Sequence, residues 1–356
     1  MYKVGICGHF GFGYDFSDGQ TTKTKAVYKA LVNSLGEENI AVLDTYGWRK
    51  NPLKMMSRCR KLLSECENVI MMPAQHGVRV FPAIFNMLNK SFGRKLHYVV
   101  IGGWLAEEFK IAPSLMKPIK KLNCVYVEAE KMCDALHALG VTNAVYMPNF
   151  RVKKILGPSE LVYSTSEPYR VCTFSRVLKE KGIEDAIEAV RYVNSHFGRT
   201  VYTLDIFGMI EPGYLERFNE LRKDFEQFVS YKGIVGYDES TDEIKSCFAV
   251  LFPTYYEGEG LAGTIIDAFA AGVPVIATDW HYNSTVIRHL TDGIIYDHTK
   301  PGLLGKILLE MAQSPQKLNA LKLNCIEQAV HYGSDEACKI LLSGLGVSAE
   351  SEAEKV

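Results

Sequence analysis

Short apolar, β-branched runs alternate along this chain with stretches whose apolar positions recur at helical spacing. YKVGIC, NIAVLD, NVIMMP and HYVVIGG are separated by predicted helices over 22–35, 52–65 and 80–90, and CVYVEAE and AVYMPNF extend the series to about residue 150. This is the βαβ pattern of a mostly parallel, doubly wound sheet. RVKKILGPSELVYSTSEP then loses periodicity and gathers Gly, Pro and Ser, the composition of a connecting segment. Beyond it YRVCTFS, VYTLDIFG, FVSYKGIVG, AVLFPT, VPVIATD and GIIYD resume the alternation, with helices predicted over 182–197, 213–228 and 263–271. The predicted fold class is α/β, with two tandem Rossmann-like domains. They are placed at 1–155 and 169–346, joined by a linker at 156–168. The last helix is allowed to pack back on the first domain, and 347–356 is read as a frayed polar tail.

Length agrees with two domains, because 356 residues exceed what one hydrophobic core organises. A hydrophobic fraction of 47% with 23% charged residues excludes a disordered, collagenous or coiled-coil chain. No apolar run approaches the roughly 20 residues of a membrane span, and MYKVGICGHFG lacks the features of a secretion signal, so a cytoplasmic setting is expected. Nine scattered cysteines without metal-ligand spacing fit reduced thiols there. The net charge of −1 conceals an asymmetry: up to residue 155 the chain carries 22 Lys+Arg against 12 Asp+Glu, and beyond it 18 against 29. The two halves are expected to face different partners.

In a doubly wound sheet ligands bind beyond the carboxyl ends of the strands, which directs attention to the loops that follow them. The first reads GHFGFGYDFSDGQTTKT, where Gly8, Gly11, Gly13, Gly19 and Gln20 sit before or at the start of a helix. Its glycines run GxxGxxGxG rather than GxGxxG, and Asp44 lies too far on for the acid of a dinucleotide site, which argues against an NAD-dependent oxidoreductase. The second loop, RVLKEKG, places Arg176 and Lys181 across a strand-to-helix turn, where two cations beside helix amides form an anion trap suited to phosphate. The third, LFPTYYEGEGLAGTIIDAFAAGVPVIATDW, is the most specific. Glu259 points from a Gly-rich loop, Ala262, Gly263 and Thr264 open a helix, and Asp267 follows one turn in. Carboxylates accept hydrogen bonds from vicinal hydroxyls, so two of them flanking phosphate-binding amides describe a nucleotide-sugar site. YKGIVGYDES at 231–240 is a weaker candidate to flank a base.

These residues resemble the signature of the retaining glycosyltransferases of family four, and the stretches GEG…DAFAAGVPVIATDW and GQTTKT together resemble the bacterial surface-polysaccharide branch. The resemblance implies the GT-B fold, with two Rossmann-like domains and an inter-domain cleft. It implies donor-phosphate contacts at Arg176 and Lys181, sugar contacts at Glu259 and a ribose contact at Asp267. The amino-terminal domain would take the acceptor and the second domain the nucleotide sugar. Three positions depart from the family pattern: Asp267 stands where Glu is usual, Thr285 where many relatives have an acid, and Gly102 and Gly103 where many have a His facing the donor sugar. His9 and His76 are the candidates to replace that His.

The function expected from the resemblance is transfer of a hexosyl-type sugar with retention. The donor is a nucleotide sugar, UDP-sugar being favoured, and the acceptor a saccharide or lipid-linked acceptor, in surface polysaccharide or capsule synthesis. Front-face attack with the departing phosphate taking the acceptor proton is implied, and no protein nucleophile is visible. Neither a cofactor nor a metal is expected, since no Asp-x-Asp motif occurs. A nucleotide-sugar epimerase of the same fold and a catalytically inactive nucleotide-sugar-binding module are the rival readings. The stretch WRKNPLKMMSRCRKLL, at 48–63, and clusters at Lys90–Lys95 and Lys117–Lys121 predict peripheral contact with the anionic inner face of a membrane. No recognition motif or stacking platform accompanies them, so nucleic acid is not an expected partner.

Overall fold

The computed structural model describes residues 1–13, 19–151, 154–236 and 238–348. The chain folds as two compact units, one formed by Met1–Val152 with Gly333–Val356 and the other by Lys153–Tyr332. Each contains one six-stranded, all-parallel sheet.

The first sheet has the order β2-β1-β3-β4-β5-β6, with β1 at Tyr2–Gly8, β2 at Ile40–Asp44, β3 at Cys66–Met71, β4 at Lys95–Val99, β5 at Cys124–Val127 and β6 at Ala144–Tyr146. Its order reverses at β1, which pairs with β2 on one side and β3 on the other. Val4, Ile6, Ile70 and Val99 meet Ala26, Val27 and Leu31 of the helix Gly19–Leu35 in one core. Ala337, Cys338, Leu341, Leu342 and Leu345 of the helix Ser334–Leu345 complete that same core. The chain's last described helix thus belongs to the first unit, although its sequence follows the second.

The second sheet has the order β12-β11-β10-β7-β8-β9, with β7 at Tyr169–Phe174, β8 at Tyr202–Phe207, β9 at Val229–Gly233, β10 at Ala249–Phe252, β11 at Val275–Thr278 and β12 at Gly293–Tyr296. Its order reverses between β7 and β10, which pair in parallel. The helix after β7, Ile183–Phe197, packs with Leu303–Gln313 against one face of the sheet. The helix after β10, Gly263–Ala270, packs with Lys322–Val330 against the other. Asn194 ends the first of these helices by accepting from the amides of Val201 and Tyr202 at 2.8 and 2.9 Å, which fixes the return into β8. Residues 154–168, predicted as a linker from 156 on, pack on this unit: Leu156 is buried and donates its amide to Ala270 O at 2.9 Å, and the Ser164 amide donates to Asn319 Oδ1 at 3.2 Å.

Beyond GIIYD the sequence reading gave bounds to no helix, allowing only for a last one; the structure has Leu303–Gln313, Lys322–Val330 and Ser334–Leu345 among the helices there. The helix expected over 213–228 is confined to Leu215–Lys223, after a short 3-10 turn at Pro212–Tyr214. No helix among the described residues is long and apolar enough to cross a membrane.

Lys322 is fully buried beneath the second sheet, where its ammonium donates to Cys247 O at 3.0 Å and Gly272 O at 3.4 Å. Burial pushes its pKa down from 10.5 to about 8, the nearby Cys325 and Cys247 opposing the shift. The folded state therefore holds fewer protons at this site than the unfolded chain between pH 8 and 10.5, so stability contributed here rises with pH across that window and is lost below it. Lys322→Met removes the titration. Denaturant unfolding should show wild type gaining on the variant by on the order of 3 kcal/mol from pH 8 to 10.5; a pH-independent difference would show that the ammonium is not desolvated.

Candidate functional site

The reversal between β7 and β10 leaves a crevice at their carboxyl ends, and the loops after these strands carry Arg176, Lys181 and Glu259. Two glycines permit the close approach. Gly208, after β8, has φ 133°, and a Cβ there would lie 1.8 Å from Ser175 O. Gly182, with φ 71°, passes Pro253 so closely that a Cβ would sit 2.2 Å from its carbonyl oxygen. Lys181 closes the short turn Lys179–Lys181, and Gly182 caps the helix that follows.

The buried ammonium of Lys181 pairs directly with the buried carboxylate of Glu259. Thr254 donates its hydroxyl to the same carboxylate oxygen at 3.1 Å. The sequence reading gave Lys181 to phosphate and Glu259 to sugar hydroxyls as separate duties; the structure joins them, because a lone charge buried this deeply would be costly. An ammonium has three donors, so Lys181 can hold Glu259 and a further anion together.

Tyr256, which the sequence reading did not single out, collects both cations. The Arg176 guanidinium lies 5.1 Å from its ring centroid and the Lys181 ammonium 5.2 Å. The ring is held by the Tyr256 amide on Thr254 Oγ1 at 3.3 Å and by Trp280 Nε1 on Tyr256 O at 2.9 Å. Arg176 pairs with Glu211 Oε2 at 3.1 Å. Burial opposes the Arg176 charge, yet Tyr256 and Glu211 hold its pKa above the ordinary value. Two cations are thus gathered at one ring, each beside a carboxylate that fixes its position.

Ala262 precedes the helix Gly263–Ala270, and Thr264 donates its hydroxyl to Phe174 O at 2.5 Å, fastening the helix start to the end of β7. The first-turn amides at Gly263 and Thr264 have no acceptor within the helix. Asp267 lies one turn in and is buried. At the position lacking the family's acid, Thr285 is exposed and donates its hydroxyl to Tyr282 O at 2.7 Å. In the segment proposed to flank a base, Gly233 O accepts from the Gly208 amide at 2.8 Å, and Tyr237 lies outside the described residues.

In the first unit the Gly-rich loop after β1 is shaped by Asp44, whose carboxylate accepts from the amides of Phe10 at 3.0 Å, Phe12 at 3.1 Å and Tyr46 at 2.9 Å. Burial works to raise its pKa, but the amide hydrogen bonds prevail and hold it below the ordinary carboxylate range. Asp44 is thus engaged with backbone amides of the loop. Gly11 and Gly13 are left-handed, with φ 61° and 83°, and Gly19 and Gln20 open the helix. Residues 14–18 lie outside the described residues. His9 Nδ1 lies 2.8 Å from Thr21 Oγ1, which ties the loop to the first helix, whereas His76 is exposed on the short helix Gln75–Val78.

Behind Gly102, sequence reasoning missed a buried polar network at the carboxyl ends of β5 and β6. Lys23 donates to Asn149 Oδ1 at 2.8 Å, lies 3.4 Å from Glu128 Oε1 and stands 4.5 Å from the centroid of the Phe150 ring. Glu128 also accepts from the Gly102 amide at 3.3 Å. Burial lowers the Lys23 pKa to about 8 against the pull of Glu128. Lys23 lies within GQTTKT, but nothing in that stretch marks it as buried, because a helical lysine is ordinarily solvated.

Elsewhere in the second unit, Asp279, Asp297 and His298 place ligand-type atoms within 4.8 Å of one another, a geometry that a cation can use. His298 also lines a cavity of about 530 Å³ with Asp185, Tyr255 and Tyr296. None of these belongs to the predicted site.

Residues 163–328 match the family model described as glycosyl transferases group 1. A stretch of 151 residues is 26% identical to the amylovoran biosynthesis glycosyltransferase AmsK of Erwinia amylovora, covering 41% of this chain and 37% of that relative's own length. Among solved structures, HepE of Anabaena, in complex with UDP and glucose, superposes with TM-score 0.74 at 13% identity, covering 97% of this chain and 100% of that one. Sucrose-phosphate synthase from Thermosynechococcus elongatus gives 0.73 at 13% identity, covering 97% and 98%. TarM of S. aureus, in complex with fondaparinux, α-GlcNAc-glycerol and UDP, gives 0.65 at 18%, covering 82% and 59%. At such identities the structural likeness establishes the fold, which is GT-B. On this α/β framework of two parallel sheets, the match to the glycosyl transferases group 1 model falls on the second unit.

Proposed function

We propose that this protein is a retaining glycosyltransferase that moves a hexosyl-type sugar from a UDP-sugar to a saccharide or lipid-linked acceptor in surface polysaccharide synthesis. The observation that carries the reading is the convergence of Arg176, Lys181 and Glu259 where the second sheet reverses, beside the first-turn amides of Gly263 and Thr264. HepE and TarM were crystallised with UDP, and AmsK is named for amylovoran biosynthesis, which supports the donor and pathway class.

In this reading the donor diphosphate lies against Arg176, Lys181 and the helix amides, while Glu259 holds sugar hydroxyls and Asp267 the ribose. The bond from the anomeric carbon to the diphosphate oxygen breaks, and the electron pair stays with the leaving group. Cations and amides favour that developing charge over the ground state and so lower the barrier. The acceptor hydroxyl attacks from the same face and its proton passes to the departing phosphate. Lys23, Glu128 and Asn149 shape the carboxyl end of the first sheet, where the acceptor is placed.

Lys181→Ala and Glu259→Ala should each lower kcat/KM by on the order of 10²-fold or more, as loss of a transition-state charge contact does. Lys181→Ala should also shrink the rise in Tm that UDP gives wild type, which at 100 times Kd corresponds to about 2.7 kcal/mol. Wild-type rates in both variants would remove Lys181 and Glu259 from the site. The first-formed product, followed by NMR, should keep the donor's anomeric configuration, and an inverted anomer overturns retention. Turnover should survive a chelator strong enough to strip a divalent ion from Asp279, Asp297 and His298; activity abolished by chelation and restored by Mn²⁺ refutes metal independence.

A further inference from the structure

The three basic clusters that lie apart in sequence converge in the fold. In a parallel sheet each crossover helix runs against the strands, so its carboxyl end lies at their amino ends. Arg60 and Lys61 lie one turn before the end of the helix Pro52–Glu65 that leads to β3, Lys90 and Arg94 follow the helix Phe81–Asn89 before β4, and Lys117 and Lys121 precede β5. β3, β4 and β5 are consecutive neighbours in the sheet, which gathers these cations along one edge. Side-chain contacts knit the clusters together: the Arg60 guanidinium lies 5.9 Å from the Phe92 ring centroid, and Arg94 Nε donates to Leu63 O at 3.1 Å.

Among the described residues, carboxylates are sparse beside them. Glu65 lies 3.7 Å from Lys61, and Glu67 is exposed at the start of β3. Cations at helix carboxyl ends do complement the macrodipole. The helix Gly19–Leu35 of the same unit, however, is followed by Glu37 and Glu38, so the charge of the β3 to β5 edge is not a general property of these termini. Exposed apolar side chains accompany the cations: Met87 is 54% exposed on the helix leading to Lys90, and Ile111 is 79% exposed at the end of the helix that follows β4. Met55, Leu62 and Leu63 of the helix Pro52–Glu65 are buried and take no part in this surface.

We propose that the edge formed by the amino ends of β3, β4 and β5 docks the protein on an anionic lipid bilayer, with Lys61, Lys90, Lys117 and Lys121 meeting headgroup phosphates and Met87 and Ile111 entering the interface. Charge complementarity and the adjoining exposed apolar groups select this occupant; a nucleic acid would use the cations but has no need of the apolar ones. The docking edge lies at the opposite end of the strands from the ligand-facing loops, so it stands independently of the proposed transferase activity.

Sedimentation with liposomes of phosphatidylcholine alone or with phosphatidylserine tests it. Wild type should pellet only with the anionic vesicles and be released as salt rises. The variant Lys61→Gln, Lys90→Gln, Lys117→Gln, Lys121→Gln, all at exposed positions, should partition at least about 10²-fold more weakly. An unchanged Tm and an unchanged UDP-induced shift would show that fold and donor site are intact in the variant. Equal recovery with both vesicle types, undiminished partitioning of the variant, or salt-sensitive retention of duplex DNA without vesicle binding overturns the proposal.

Discussion

The buried ion pair between Lys181 and Glu259 is the constraint on which the second unit's site depends. It spans the loops after β7 and β10, the two strands between which the sheet order reverses, and so ties together the walls of the crevice. Removing either partner leaves an uncompensated charge inside the protein, a loss of roughly 3 to 5 kcal/mol. That penalty holds both side chains in place before any ligand arrives. Thr254 and Tyr256 extend the constraint, the first by donating to the same carboxylate oxygen as Lys181 and the second by gathering Arg176 onto the same ring as Lys181.

A pair of this kind is poorly suited to stability alone, since apolar residues of similar volume often serve at least as well. Its value lies in preorganisation. Water and mobile side chains would have to reorient as charge builds on a leaving diphosphate, whereas cations already fixed by Glu259 and Glu211 need little rearrangement. The first unit shows the same economy with the opposite sign. Asp44 holds the Gly-rich loop by its amides, and Lys23 is enclosed by Glu128 and Asn149. In each unit a buried charge is spent on the shape of a loop or strand end rather than displayed to solvent.

The division of labour between sequence and structure follows from the range of each interaction. The alternation of apolar runs and helix-period stretches made both parallel sheets legible, because a strand's burial is written in its own composition. Arg176, Lys181, Glu259 and Asp267 were legible as well, since loop glycines, cations and carboxylates at fixed offsets from strand ends have few other uses. Tyr256 was not, as an aromatic residue in a loop carries no spacing signal. Glu211, reached across the loop after β8, was invisible for the same reason.

What the sequence by itself determined is therefore the class of fold and the kinds of chemical group at the strand ends. The tertiary structure alone decided which groups meet. The helix Ser334–Leu345 has an apolar face that any sheet could accept, so the sequence allowed it to pack back on the first domain, and the assembled core assigns it there. Nothing in the sequence around Lys23, within GQTTKT, or around Lys322 marks a buried lysine, yet both are buried and their pKa values are lowered. The basic clusters lie tens of residues apart, and strand order alone makes them neighbours. Periodicity and propensity act over a few residues, whereas desolvation, ion pairing and the summation of charge depend on distances through space, which come into being only when the chain has folded.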